Sequence, residues 1–139
     1  MTDRIPAVVL GAGGYVGGEL LRLLAGHPRV AEVRGYSSSA AGRPWSAAHP
    51  SLLNLPDDKV FEAFDPNVAG AWADVVFLAL PHGESQNVLG AVEAGGPKLV
   101  VDTAADFRLI VQNDLAKVGK QLLTLLRNVV HDFDDYANC

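Results

Sequence analysis

The chain has 139 residues, 49% hydrophobic and 19% charged, a composition that buries a core and differs from that of a disordered segment. At about 100–200 residues per domain it is one domain long, so a complete two-domain enzyme is not expected, and a net charge of −5 with no dense Lys/Arg run argues against nucleic acid. Its one cysteine, Cys139, excludes an internal disulfide and a cysteine-only zinc site; with no secretory pattern at the start and no apolar run near the ~20 residues of a membrane span, a cytoplasmic protein is expected, with no membrane partner and no metal.

Short β-branched runs alternate with helical patterns, the order of βαβ units around a mainly parallel, doubly wound sheet, so the fold class expected is α/β. Ile5–Leu10 is apolar throughout, as a strand covered on both faces should be, with Pro6 near its start. Gly11 to Gly14 form a turn. From Tyr15 to Ala25, Val16, Leu20, Leu21, Leu23 and Leu24 fall on a helical stripe that Gly26-His27-Pro28 ends. Val30–Tyr36 reads as a second strand. Ser37 to Pro56 reads mostly as loop, long enough that it either carries function or hides a short element. Val60–Phe64 alternates like a strand, Asp65-Pro66 breaks it, and Asp74–Leu80 is a continuous apolar strand. A loop at Pro81-His82-Gly83, a helix over Glu84–Ala94 and a strand over Lys98–Asp102 follow, for about five strands and two clear helices. Beyond Leu109 the apolar residues from Leu115 to Phe133 predict one amphipathic helix over roughly 112–133. The expected division is a dinucleotide-binding domain over 1–109 and an added helix and tail over 110–139.

The strongest chemical signal is Gly11-Ala12-Gly13-Gly14-Tyr15-Val16-Gly17, set between an apolar strand and an amphipathic helix. A pyrophosphate needs a turn without Cβ atoms and the free N–H groups at the positive end of a helix. The spacing is G-x-x-G-x-x-G, a variant of the standard dinucleotide fingerprint, and a turn needed only for tight strand-to-helix packing is the alternative reading. Where an NAD site usually carries a ribose-gripping carboxylate, this chain has Ser37, Ser38 and Ser39. Three hydroxyls, no carboxylate and nearby Arg34 and Arg43 favour NADP; a solvated serine loop is the bland alternative, and Arg34 could equally be a surface charge.

Four stretches together resemble the N-acetyl-gamma-glutamyl-phosphate reductases. They are the glycine loop through Leu24 with His27-Pro28; His49-Pro50; Val76 to Gly83 with Ser85; and Asp102 with Ala105 to Leu109. The resemblance covers about residues 5–109 and implies a Rossmann-type NADP domain of an enzyme of arginine biosynthesis. It implies reduction of an acyl phosphate to an aldehyde, in which a cysteine thiolate displaces phosphate and the nicotinamide delivers hydride to the thioester. Gly11, Gly13, Gly14, Tyr15, Val16 and Gly17 would hold the pyrophosphate, and Ser37 to Ser39 the adenosine ribose. Pro81, His82 and Gly83 would lie beside the cofactor, which makes His82 a poor candidate for proton transfer. Arg108 would grip the substrate phosphate, unless it pairs with Asp106 or Asp102.

After Leu109 the family pattern is lost. Its members carry the nucleophile in a stretch like Asn-Pro-Gly-Cys-Tyr-Pro within a second domain, whereas here Cys139 follows Asp132, Asp134 and Asp135, whose charges would raise a thiol's pKa. No catalytic residue is assigned, and this polypeptide alone is expected to bind cofactor without completing the reduction. A related reductase acting on aminoadipyl phosphate in lysine biosynthesis, or a free-standing NADP-binding module, stays open. The apolar face of 115–133 needs cover from its own sheet or from a second copy, so a homo-oligomer stays open too.

Overall fold

The structure, a computed structural model, describes residues 4–53, 59–81 and 83–103, together with the backbone of 108–111. In chain order it holds β1 (Ile5–Leu10), α1 (Tyr15–Ala25), β2 (Val30–Tyr36), α2 (Trp45–Ala48), a single 3-10 turn at Pro50–Leu52, and α3 (Pro66–Trp72). Then come β3 (Val75–Leu78), α4 (Ser85–Ala94), β4 (Leu99–Asp102) and β5 (Arg108–Val111). The strands form one sheet in the order β2-β1-β3-β4-β5. The first four run parallel, and β5 joins β4 antiparallel at the edge.

β1 is central because its sequence has no polar face to give to water. Ala7 and Val9 point to one side, Val8 and Leu10 to the other, and all four are fully buried. The first pair packs with Val33, Val75 and Phe77 beneath Leu20, Leu21 and Leu24 of α1. The second pair packs with Val76, Leu78 and Val100 against Ala69 of α3 and Val92 of α4. Helices thus cover both faces, and each of the three α1 leucines brings about 1.5–3 kcal/mol of transfer free energy. Pro6 has no N–H for the ladder; the register shifts there, and its carbonyl accepts the Asp74 N–H at 3.0 Å.

The parallel sheet, α1 and α4 stand where the apolar patterns put them, within a residue or two at the ends. Three elements differ. Val60–Phe64 is no strand: it makes isolated bridges, Tyr36 with Glu62 and Pro44 with Val60, and Pro44 has no N–H with which to extend a ladder. Phe61 nevertheless drops into the core. Asp65-Pro66, read as a break, starts α3: the Asp65 carboxylate accepts the Val68 N–H at 3.1 Å and Pro66 occupies the first turn. The fifth strand is Arg108–Val111, a stretch given no secondary structure beforehand. The long loop after β2 does hide short elements, α2 and the turn at Pro50–Leu52, anchored by buried Trp45 and Leu52. The expected helix over 112–133 and Cys139 lie outside the described residues.

Candidate functional site

β1 and β3 are neighbours in the sheet, but the connection leaving β1 runs through α1 on one face and that leaving β3 runs through α4 on the other, so a crevice opens between their carboxyl ends. A cleft of about 560 Å³ sits at this point. Its walls are Gly11, Gly13, Gly14, Tyr15 and Val16 from the glycine loop, and Ser37, Ser38 and Ser39 after β2. Phe64, and Ala79, Leu80, Pro81 and Glu84 after β3, complete it.

The glycines do different jobs. Gly11 has φ +87°, and a Cβ there would run into the Ala79 carbonyl. A Cβ on Gly17 would collide with the Gly11 carbonyl and lie 2.7 Å from Ala12 Cα, so glycine lets α1 pack directly on the turn. The Gly11 and Ala12 amides both donate to the Tyr36 carbonyl at 3.0 Å, which fixes the turn against the end of β2. Gly14 is unlike these. Its φ of −81° suits any residue, and a Cβ would meet only the Gly11 oxygen, at 3.7 Å. Packing among the described residues does not require glycine there. Gly14 is also the N-cap of α1 and gives no side-chain hydrogen bond to the first-turn amides. The cleft therefore contains a helix amino end with no side-chain cap from its N-cap residue, beside a space that a Cβ would fill; both features fit a phosphate group.

At the β2 end, Ser37 is committed to the protein. It is buried, its Oγ accepts the Ala40 N–H at 3.1 Å, and a Cβ on Gly13 would approach that Oγ to 2.9 Å. Ser38 and Ser39 are exposed. Among the described residues no carboxylate lines this end: Glu62 bridges Tyr36 through its backbone, and the acid in the lining is Glu84, on the β3 side. The two arginines invoked from the sequence do not line the cleft. Arg34 lies over the Trp72 ring at 3.8 Å with its Nε 3.4 Å from Glu32, because β2 alternation turns it toward α3. The next residue on that face, Tyr36, has its phenol pKa raised by burial, with Arg34 pulling part of the way back.

Of the other residues singled out, Gly17 lies buried behind the turn, and Gly83 (φ +89°) is outside the lining although its neighbours on the described chain, Pro81 and Glu84, belong to it. His82 and the side chain of Arg108 lie outside the described residues; the backbone of Arg108 pairs with Asp102. Phe64, Ala79, Leu80 and Glu84 were not anticipated. The apolar run to Leu80 carried a signal for two of them, since residues just past a parallel strand reach the crevice. Ser85 Oγ donates to Asp102 Oδ1 at 3.1 Å, tying the start of α4 to the end of β4, and Thr103 Oγ1 donates to the Leu78 carbonyl at 2.9 Å, tying the ends of β4 and β3 together. Among the described residues no group of three His, Cys, Asp or Glu could hold a metal ion, and no helix is long and apolar enough to cross a membrane.

Comparison with known proteins agrees with this architecture. Residues 6–118 match the family model described as semialdehyde dehydrogenase, NAD binding domain. The chain is 52% identical over 101 residues to the N-acetyl-gamma-glutamyl-phosphate reductase of Acidothermus cellulolyticus, covering 73% of this chain and 28% of that protein. It is 52% identical over 105 residues to that of Streptomyces coelicolor, covering 76% and 30%. The chain thus spans less than a third of the length of these curated relatives. Among solved structures, aspartate semialdehyde dehydrogenase with NADP from Candida albicans superposes with a TM-score of 0.63 at 28% identity, covering 74% of this chain and 30% of that one. Aspartate semialdehyde dehydrogenase II from Vibrio cholerae, 16% identical with a TM-score of 0.58 over 74% of this chain and 29% of that one, shares the fold. Sheet order, glycine loop and family match converge: the chain belongs to the semialdehyde dehydrogenase NAD-binding domain family.

Proposed function

We propose that this chain is the NADP-binding part of a reductase that converts N-acetyl-gamma-glutamyl phosphate to its semialdehyde, a cytoplasmic step of arginine biosynthesis. The relatives carrying that name support the substrate, and the solved neighbour with NADP supports the cofactor. The observation that carries the reading is the α1 amino end at Gly14, which has no side-chain cap from its N-cap residue and, among the described residues, lies beside open space.

In this reading residues 1–109 form the cofactor-binding unit. Gly11, Gly13, Gly14, Tyr15, Val16 and Gly17 form the pyrophosphate cradle: backbone N–H groups and the helix dipole act on the bridging phosphates, while Gly11 and Gly17 let the turn close. Ser38 and Ser39 donate to the 2′-phosphate, and Ser37 braces Gly13 from behind. Pro81, His82 and Gly83 flank the nicotinamide end, where Arg108 is assigned to the substrate phosphate as a planar fork of donors. The dinucleotide, when bound, supplies the hydride. The apolar surface of Phe64, Leu80 and Pro81 excludes water beside it.

The test is a pair of titrations, NADPH and NADH, followed by nicotinamide fluorescence. NADPH should bind more tightly. Ser38→Asp should remove the preference: two like charges ~4 Å apart repel by about 1–4 kcal/mol between bulk water and a protein surface, so NADPH should weaken at least about fivefold. Equal affinities in the unmodified chain would refute the NADP assignment.

A further inference from the structure

His49 is not part of the cleft lining, yet it reaches the glycine loop across 37 residues of sequence: its Nε2 lies 2.7 Å from the Ala12 carbonyl oxygen. A carbonyl oxygen only accepts, so Nε2 carries the proton and donates. The ring is firmly placed. It fills the space over Gly18, where a Cβ would sink into the imidazole, and meets Phe61 edge to face at 6.0 Å between centroids. Its backbone joins the two short elements hidden in the loop: the His49 N–H donates to the Trp45 carbonyl and the His49 carbonyl accepts the Leu52 N–H, each at 2.9 Å.

The consequence lies in the next peptide unit. A trans peptide points its C=O and N–H in opposite directions, and the described chain has no cis bond. With the Ala12 carbonyl held toward His49, the Gly13 N–H points away from His49, and Gly13 lines the cleft. Among the described residues that N–H has no hydrogen-bond partner. Released from His49, the peptide between Ala12 and Gly13 could turn over, because glycine tolerates either orientation. It would then present a carbonyl oxygen, the negative end of the peptide dipole, to the cleft.

We propose that His49 is a positioning residue: by holding the Ala12 carbonyl it sets the Gly13 N–H as a donor for the phosphate bound in the cleft. The inference rests on the dinucleotide reading given above. It assigns a function to His49-Pro50, a motif which that reading leaves unused.

The test uses the full 139-residue chain, NADPH as the probe, thermal melting to establish folding, and the amide resonance of Gly13. His49→Ala should lose affinity about tenfold to a hundredfold, the worth of a charge-assisted hydrogen bond, and its Gly13 amide should no longer respond to NADPH. His49→Gln, which keeps a donor at similar reach, should recover most of both. His49→Met fills the space without a donor and replaces His49→Ala should the smaller side chain fail to fold. Folded non-donor variants that bind like the unmodified chain with the Gly13 response intact would overturn the proposal. Equal losses in the Gln and Met variants would overturn it as well, since packing rather than the hydrogen bond would then be at work. An unmodified chain that binds no NADPH would overturn the cleft reading and this inference together, whereas failure of the inference alone appears only in the variants.

Discussion

Alanine at Gly14 and alanine at Gly17 should separate a glycine kept for a ligand from one kept for the fold. At Gly17 the new Cβ would meet the Gly11 carbonyl and lie 2.7 Å from Ala12 Cα and 3.0 Å from Ala12 C, all backbone atoms with little freedom to yield. Overpacking of this kind costs about 1–3 kcal/mol, offset by the ~1 kcal/mol that alanine gains over glycine inside a helix. The balance is a loss of up to about 2 kcal/mol, or up to roughly 7 °C in melting temperature for a domain of this size. At Gly14 the Cβ would find one atom, at 3.7 Å, and the backbone already has φ −81°. The ~0.4–1 kcal/mol gained from a stiffer unfolded chain roughly balances the weaker N-cap propensity of alanine, so stability should stay within about 1 kcal/mol. Nucleotide affinity should behave in the opposite way. A methyl group at the N-cap holds a phosphate off the first-turn amides, and weakening one hydrogen bond to a charged group costs about 1.5–3 kcal/mol, tenfold to a hundredfold in Kd. Thermal melts and NADPH fluorescence titrations on both variants check this. A Gly14→Ala chain that melts as early as Gly17→Ala, or that keeps full NADPH affinity, would refute the reasoning.

The other predictions concern parts of the molecule away from the cradle. Burial raises the Tyr36 pKa above its unfolded value of about 10, so the stabilisation it gives is fully present below pH ~10 and is lost as pH rises through the folded value. An ultraviolet absorbance titration should show this phenol ionising above pH 10, and Tyr36→Phe should remove that late component; an unchanged titration in that variant would contradict the assignment. Gly70→Ala should destabilise by up to about 2 kcal/mol in urea unfolding, overpacking less the helix-propensity gain, without changing the Kd for NADPH, because a Cβ there drives into the Val92 backbone where α3 packs on α4 and Gly70 is not in the cleft lining.

Much of this is legible in the sequence, for a physical reason. A strand buried on both faces has to be apolar throughout, so Ile5–Leu10 and the run around Val75–Leu78 announced themselves, and a helix on one face has to carry a stripe, so α1 did too. What was misread depends on partners remote in sequence. Val60–Phe64 has the alternation of a strand, but only Tyr36 and Pro44 are there to pair with it. Arg108–Val111 becomes a strand because β4 offers it an edge. Asp65-Pro66 carried a local signal that was taken with the wrong sign: the same dipeptide that ends a strand caps and opens a helix. At the cleft, the glycines and serines could be named from spacing, but the division of labour among them could not. Whether a glycine faces a carbonyl, as Gly17 does, or open space, as Gly14 does, depends on how α1 docks. The direction of Arg34 likewise follows from Trp72, which lies on a helix the sequence reading did not anticipate.

The proposed diphosphate site consists of the backbone amides at the start of α1. Amide resonances recorded during an NADPH titration of the isotopically labelled chain test this most directly: the largest responses should fall on Gly13 to Gly17 and on Ser38 and Ser39. Saturable binding that leaves those amides unmoved while others respond would contradict it.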